Sequence, residues 1–183
     1  MDVLTAIGLA LPAGLNAYIP LLGLAIAERF GVIELASPWS AIGEWWAIAL
    51  VGVLLGVELF ADKVPAVDHV NDVLQTFVRP GAGAVVAVAA SGQAGENYPF
   101  VMVALGLVLA GGVHVAKASA RPVVNATTGG AGAPVASAIE DVVAVASTAL
   151  AILLPTMVLA LLVLFAWAWW RFYRRRRIVG TRV

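Results

Sequence analysis

The sequence predicts an all-α fold: a polytopic helical membrane protein with four to five membrane segments, broken or re-entrant in places, and a candidate internal repeat. Three observations lead there. Of 183 residues, 62% are hydrophobic and 12% charged, with a mean hydropathy of +0.96. A soluble domain carries about 25% charged residues, and half that density cannot coat a water-facing surface. Several uncharged apolar runs approach the roughly 20 residues that a helix needs to cross a hydrocarbon core about 30 Å thick. The charges are also uneven, since no Lys or Arg precedes Arg29 whereas five arginines fall within Arg171–Arg177. The chain reads as a single integral membrane domain, 1–183, ending in a basic tail, 171–183.

The first segment runs from Val3 to Ala27 without a charge but contains Pro12, Gly14, Asn16 and Pro20. Proline removes a helical N–H and clashes with the preceding turn, and irregular backbone at membrane depth survives only where protein or a water-filled cavity covers it. Residues 13–20 are therefore a candidate break facing the interior, with a proline kink as the simpler reading. No basic region precedes this segment, so it is expected to remain in the mature protein. Residues 28–44 form a polar connection, and Trp39, Trp45 and Trp46 read as an interfacial belt. The second segment, Trp45–Ala61, carries Glu58 inside its apolar run, and its Gly52-x-x-x-Gly56 spacing permits close helix approach, a candidate homo-oligomer interface.

Residues 62–80 alternate at helical spacing between Val67, Val70, Val73, Leu74, Phe77 and Val78 on one face and Asp68, Asn71, Asp72 and Gln75 on the other. This predicts a short amphipathic helix stopped before Pro80. The small-residue run Gly81–Ala90 is too short to span alone; it fits a buried helix, a re-entrant half-helix or the end of a span beginning near Thr76. The fourth segment, Tyr98–Ala120, carries His114 and Lys117 near its end. Residues 122–139 are uncharged and rich in Gly, Ala, Thr and Pro. The last segment, Val142–Trp170, is broken or kinked at Pro155 and ends in Trp167, Trp169 and Trp170.

The Arg171–Arg177 cluster predicts a cytoplasmic C-terminus in a multi-pass plasma-membrane protein, and it is also suited to anionic lipid. Counting back through five spans puts the N-terminus outside and residues 62–80 and 117–141 on the outer side. Gly81–Ala90 matches Gly130–Ile139 at seven of ten positions, which suggests pseudo-repeats over 45–97 and 98–170, an arrangement familiar in transporters with a site at the repeat interface.

Ionisable groups inside membrane segments usually face a bundle interior or an aqueous path. Glu58 and Asp62, and Asp68 and Asp72, are each four residues apart and share a helix face. Stacked carboxylates suit a bound cation, a shared proton or basic partners; Asp68 and Asp72 are the metal candidates. The competing reading is a solvated amphipathic helix. Lys117 and Arg121 are expected to snorkel to phosphates. Asn125-Ala126-Thr127-Thr128-Gly129-Gly130 has the flexibility and hydroxyls of a re-entrant loop, though close helix packing would also use those glycines. No catalytic constellation is evident. The absence of cysteine excludes disulfides and thiolate metal sites. No cofactor is implied, and zero net charge implies no nucleic-acid partner.

Lys63-Val64-Pro65-Ala66-Val67-Asp68, with Asp72, Thr76 and Arg79-Pro80, and then Thr127-Thr128-Gly129-Gly130-x-Gly132-x-Pro134-Val135, resembles the small bacterial and plastid membrane proteins grouped as domain of unknown function 4126. The resemblance runs from the first segment to about Pro155. Ala133 departs from it, since members often carry Asn there, and some carry a basic residue near Asn16. It implies a membrane protein in which these two stretches matter, and it implies no substrate. The leading expectation is a small transporter or channel for a cation or proton-coupled small solute. Its pathway would be lined by Asn16, Asp68, Asn71, Asp72, Asn125, Thr127 and Thr128, with Glu58 and His114 as proton or cation sites. The alternatives are a non-catalytic membrane scaffold binding a partner or lipid headgroups, and a membrane enzyme acting on lipid phosphates.

Overall fold

A computed structural model describes residues 2–61, 65–129 and 132–179; within helices, the side chains of 65–72, 156, 158–159 and 172–179 lie outside the described set. Every regular element among the described residues is helical: α1 (Val3–Ala13), α2 (Tyr18–Arg29), a 3₁₀ turn (Trp39–Gly43), α3 (Trp45–Ala61), α4 (Pro65–Ala90), short α5 (Gln93–Asn97), α6 (Pro99–Thr128), α7 (Gly132–Leu153) and α8 (Pro155–Val179). Val73–Ala90, Pro99–Thr128 and Gly132–Leu153 are each long and apolar enough to cross a membrane.

The first apolar segment is two helices, and they fold back on one another. Ala6, Leu9 and Ala10 of α1 share one core cluster with Leu24 and Ala27 of α2, Val86, Ala87, Ala89 and Ala90 of α4 and Ala151 of α7. In a straight helix residues 6 and 27 would lie roughly 30 Å apart. The reversal, Gly14–Ala17, packs instead on Ala82 and Ala110. Asn16 makes the turn possible: its Oδ1 accepts from the backbone N–H groups of Tyr18 and Ile19 at 3.1 and 3.2 Å, capping α2. At the other end, Asp2 caps α1 through Thr5.

The helix expected to stop before Pro80 does not stop. α4 continues through it to Ala90, and α6 likewise continues through Pro122. Each proline forfeits one backbone hydrogen bond, but packing outweighs that loss. Gly83 of α4 and Gly106 of α6 meet so closely that a methyl on Gly83 would run into Ala110 Cβ and lie 2.7 Å from the Gly106 carbonyl. Gly81–Ala90 thus forms the buried end of a long span, whereas the matching Gly132–Ile139 begins α7.

The last segment also folds back. α8 restarts at Pro155 and returns along α1 and α7, so that Leu161, Phe165 and Ala168 line one cavity with Gly8, Pro12, Val143 and Leu150. The bundle therefore has two ends. One holds residue 2, the connection 30–44, α5 and the α7–α8 joint. The other holds the C-terminal ends of α3, α6 and α8 and the N-terminal ends of α4 and α7. α3 leaves its glycine face uncovered: a methyl added at Gly52 or Gly56 would meet nothing of this chain within 4 Å.

Candidate functional site

The turn of the α1–α2 hairpin sits near the middle of the bundle's length, and the buried polar side chains gather around it. α6 supplies His114, Lys117 and Arg121, spaced to share one helix face and 4%, 7% and 7% exposed. α4 supplies Gln75 and Arg79, α3 supplies Glu58, and α7 supplies Glu140 and Asp141. Arg79 is fully buried; its Nη2 donates to Glu58 Oε1 at 3.0 Å and its Nη1 to His114 Nδ1 at 3.1 Å. A guanidinium only donates, so Nδ1 is the acceptor and the His114 proton resides on Nε2, 3.2 Å from Thr76 Oγ1. Glu58, Arg79 and His114 therefore form one hydrogen-bonded chain from α3 through α4 to α6.

A second set grips the hairpin itself. Lys117 Nζ lies 2.7 Å from Glu140 Oε2 and donates to the Leu15 carbonyl at 3.0 Å. Arg121 shares the same carboxylate oxygen at 3.4 Å. Asn16 Nδ2 donates to Asp141 Oδ1 at 3.0 Å. The carbonyl end of α1, where the helix dipole is negative, thus receives an ammonium, and the start of α2 is capped by an amide that α7 holds in place. Tyr18, on the first turn of α2, faces Gln75 and senses the charges of Glu58 and Arg79. Three carboxylates (Glu58, Glu140, Asp141) balance three bases (Arg79, Lys117, Arg121) among the described members of this network.

A family model described as "Domain of unknown function (DUF4126)" matches residues 3–175. The chain belongs to the DUF4126 family. No curated protein and no solved structure matches it. The family assignment agrees with the resemblance carried by the Lys63–Pro80 and Thr127–Val135 stretches.

This DUF4126 chain brings together three of the residues singled out from sequence: Asn16, Glu58 and His114 all belong to the buried network. Asp68, Asn71 and Asp72 lie outside the described side chains. Asn125, Thr127 and Thr128 are not brought to the network. Of the stretch read as a re-entrant loop, residues 125–128 are the last turn of α6, exposed, with both threonine hydroxyls bonded to carbonyls of their own helix; Gly130 lies outside the described residues. Gly129, at φ 61°, ends that helix, and Thr128 Oγ1 accepts from the Gly132 N–H to begin α7. Glycine and threonine here serve a helix-to-helix joint.

Arg79, Lys117, Arg121, Glu140 and Asp141 were not singled out from sequence as site residues. Lys117 and Arg121 do not snorkel outward; both are buried against Glu140. The heptad-like spacing of 114, 117 and 121 was the available signal. Among the described residues no group of three His, Asp or Glu side chains converges as a metal site would require.

Proposed function

We propose that this protein is a small membrane transporter or channel whose polar pathway ends at the tip of a re-entrant hairpin, α1–α2. The observation that carries this reading is the Lys117–Leu15 contact: a buried ammonium bound to the carbonyl end of a helix broken inside the bundle. Helix ends meeting at membrane depth are the device by which transporters bind charged cargo, and ionisable side chains there usually mark a pathway. The cargo class is a proton-coupled small solute. The bases around the tip already neutralise its described carboxylates, which disfavours a bare cation there, whereas the Glu58–Arg79–His114 chain offers exchangeable protons. Asp68 and Asp72, further along α4, would line the approach.

The membrane arrangement follows from the two reversals. The segments meeting at the first end carry five acids (Asp2, Glu28, Glu34, Glu44, Glu96) and one base, Arg29. The other ten bases belong to α4, α6, α8 and the segments joining at the second end. By the positive-inside rule that second end is cytoplasmic. The hairpin enters and leaves on the outer side, and α3, α4, α6, α7 and α8 cross. The N-terminus stays outside and the C-terminus inside, but residues 62–80 and 117–141 belong to the cytoplasmic half. Counting the first segment as a crossing had put them outside.

A specific observation favours a second reading, a scaffold with a closed structural core: two described cavities between the helices are lined by apolar residues apart from one hydroxyl each, Ser147 and Thr148. Water access separates the two. Asn16→Cys in this cysteine-free chain, treated in sealed vesicles with a membrane-impermeant thiol reagent, is labelled from the cytoplasmic side if a pathway reaches the tip. Absence of labelling from either side, in protein that remains folded, would leave the scaffold reading in possession.

A further inference from the structure

A cavity of about 580 Å³ lies between α1, α7 and α8, with Val113 of α6 at its edge. Its volume falls within the roughly 300–1,000 Å³ of small-molecule sites. Gly8 and Pro12 form its floor, Leu150 one wall, and Leu161, Phe165 and Ala168 the other. Ser147 is the one hydroxyl in the lining, and its Oγ is spent on the Val143 carbonyl of its own helix. Nothing in the lining asks for a polar ligand, so the occupant must be hydrocarbon along this length.

The rim of the cavity is different. On α8 the lining positions 161, 162, 164, 165 and 168 recur at helical spacing, and Arg171 stands one turn further along, at the edge of that face and outside the lining. Its guanidinium lies over the Trp167 ring, 5.3 Å from the centroid, and the residue is exposed. Trp167, Trp169 and Trp170 are exposed as well, which marks this turn of α8 as the level of lipid headgroups. From Leu161 to Arg171 is ten residues, about 15 Å of helix, or one leaflet of a core about 30 Å thick. The cavity lining on α8 ends at Ala168, one turn short of Arg171, so an acyl chain seated along it would bring its phosphate to the level of that arginine.

We propose that this cavity binds one acyl chain of an anionic phospholipid, with the headgroup phosphate held by Arg171. The cavity touches the hairpin tip through Leu15 and α6 through Val113, but no charged side chain of the polar network lines it, and the proposal does not depend on what that network transports. An arginine already oriented by an aromatic ring presents two N–H groups to a phosphate at little further cost in side-chain freedom. Zwitterionic lipid would fill the cavity but gain less at the rim.

The test uses the full-length chain reconstituted in bilayer discs of equal phosphatidylglycerol and phosphatidylcholine, followed by native mass spectrometry of the released protein. The expected result is one retained lipid, predominantly phosphatidylglycerol. Ala168→Trp, which fills the cavity from α8, should lose the retained lipid of both kinds. Ser147→Phe fills it from α7 and serves if the first variant does not fold. Arg171→Gln should keep a retained lipid but lower the preference for phosphatidylglycerol about fivefold, the attraction typical of one basic residue at an anionic surface. Equal retention of the two lipids by the unaltered chain, or unchanged retention in a folded cavity-filled variant, would overturn the proposal.

Discussion

Replacing Arg79 by methionine probes the centre of the polar network. The guanidinium is fully buried, 3.0 Å from a Glu58 carboxylate that is itself 1% exposed and 3.1 Å from His114 Nδ1. Methionine preserves most of the side chain's length and removes its charge, which strands the carboxylate away from water. Breaking a buried pair from one side typically costs about 3–5 kcal/mol, and Arg79→Met should destabilise the bundle by that order. Glu58→Gln keeps an acceptor for Arg79 but removes the compensating charge, for a loss of about 1–3 kcal/mol. The double variant leaves neither charge behind, so its loss should fall short of the sum of the single losses by about 0.5–3 kcal/mol, the range found for residues in direct contact. The measurement is reversible unfolding in mixed micelles followed by tryptophan fluorescence, for which the six tryptophans provide signal. Strict additivity, within about 0.3–0.5 kcal/mol, would mean that Arg79 and Glu58 do not form the pair, and the chain from α3 to α6 would lose its middle member.

Three further outcomes follow from contacts elsewhere. Gly83→Ala places a methyl against Ala110 Cβ and the Gly106 carbonyl and should destabilise by about 1–3 kcal/mol; Gly112→Ala, with open space around it, should be neutral or stabilise by up to about 1 kcal/mol, and the two melting temperatures compared side by side decide the matter. Asn16→Ala loses the α2 cap and should cost about 1 kcal/mol, whereas Asn16→Asp keeps a capping oxygen but sets a carboxylate against Asp141; the aspartate variant should unfold more readily than the alanine variant at neutral pH, and the reverse order would remove the Asn16–Asp141 contact. Lys117→Met removes the ammonium that ties the Leu15 carbonyl to Glu140, so hydrogen exchange at residues 14–17 should quicken relative to the rest of α1 and α2, while unchanged protection would mean that the hairpin tip is held without it.

What the sequence revealed and what it hid divide along a physical line. The membrane character, the break at Gly14–Asn16 and the unusual placement of Glu58 and His114 are local properties. A proline pair beside glycine, or a charge within an apolar run, can be recognised without knowing the partner. The network could not be recognised that way, because its bonds join residues far apart in the chain: Arg79 to Glu58 across 21 positions, Lys117 to Leu15 across 102 and Asn16 to Asp141 across 125. A lysine and an arginine near the end of an apolar helix look alike whether they reach outward to phosphates or inward to Glu140. Composition misled at Pro80 and at Thr127–Gly130 for a related reason. In a bundle whose helices are packed by glycine contacts such as Gly83–Gly106, a proline costs one hydrogen bond and does not end the helix, and glycine with threonine serves a tight joint as readily as a loop.

The sidedness of the polar segments shows how far one such error travels. Treating Val3–Ala27 as a crossing and Val142–Trp170 as one helix still gives five spans and still puts the termini on opposite sides, so neither terminus exposes the mistake. The consequence falls on what lies between. With the hairpin returning at Asn16 and the chain reversing again at Pro155, the C-terminal ends of α3 and α6 lie at the same end as that of α8. In the arrangement proposed above, Arg79, Lys117 and Arg121 then share a half with Arg171 rather than standing across the membrane from it. Their shared sign supports that proposal. Both reversals are set by backbone chemistry at a few residues, an asparagine that caps the helix it has just turned into and a proline that cannot continue the one before it, and the distribution of charge is what makes the reversals legible in retrospect.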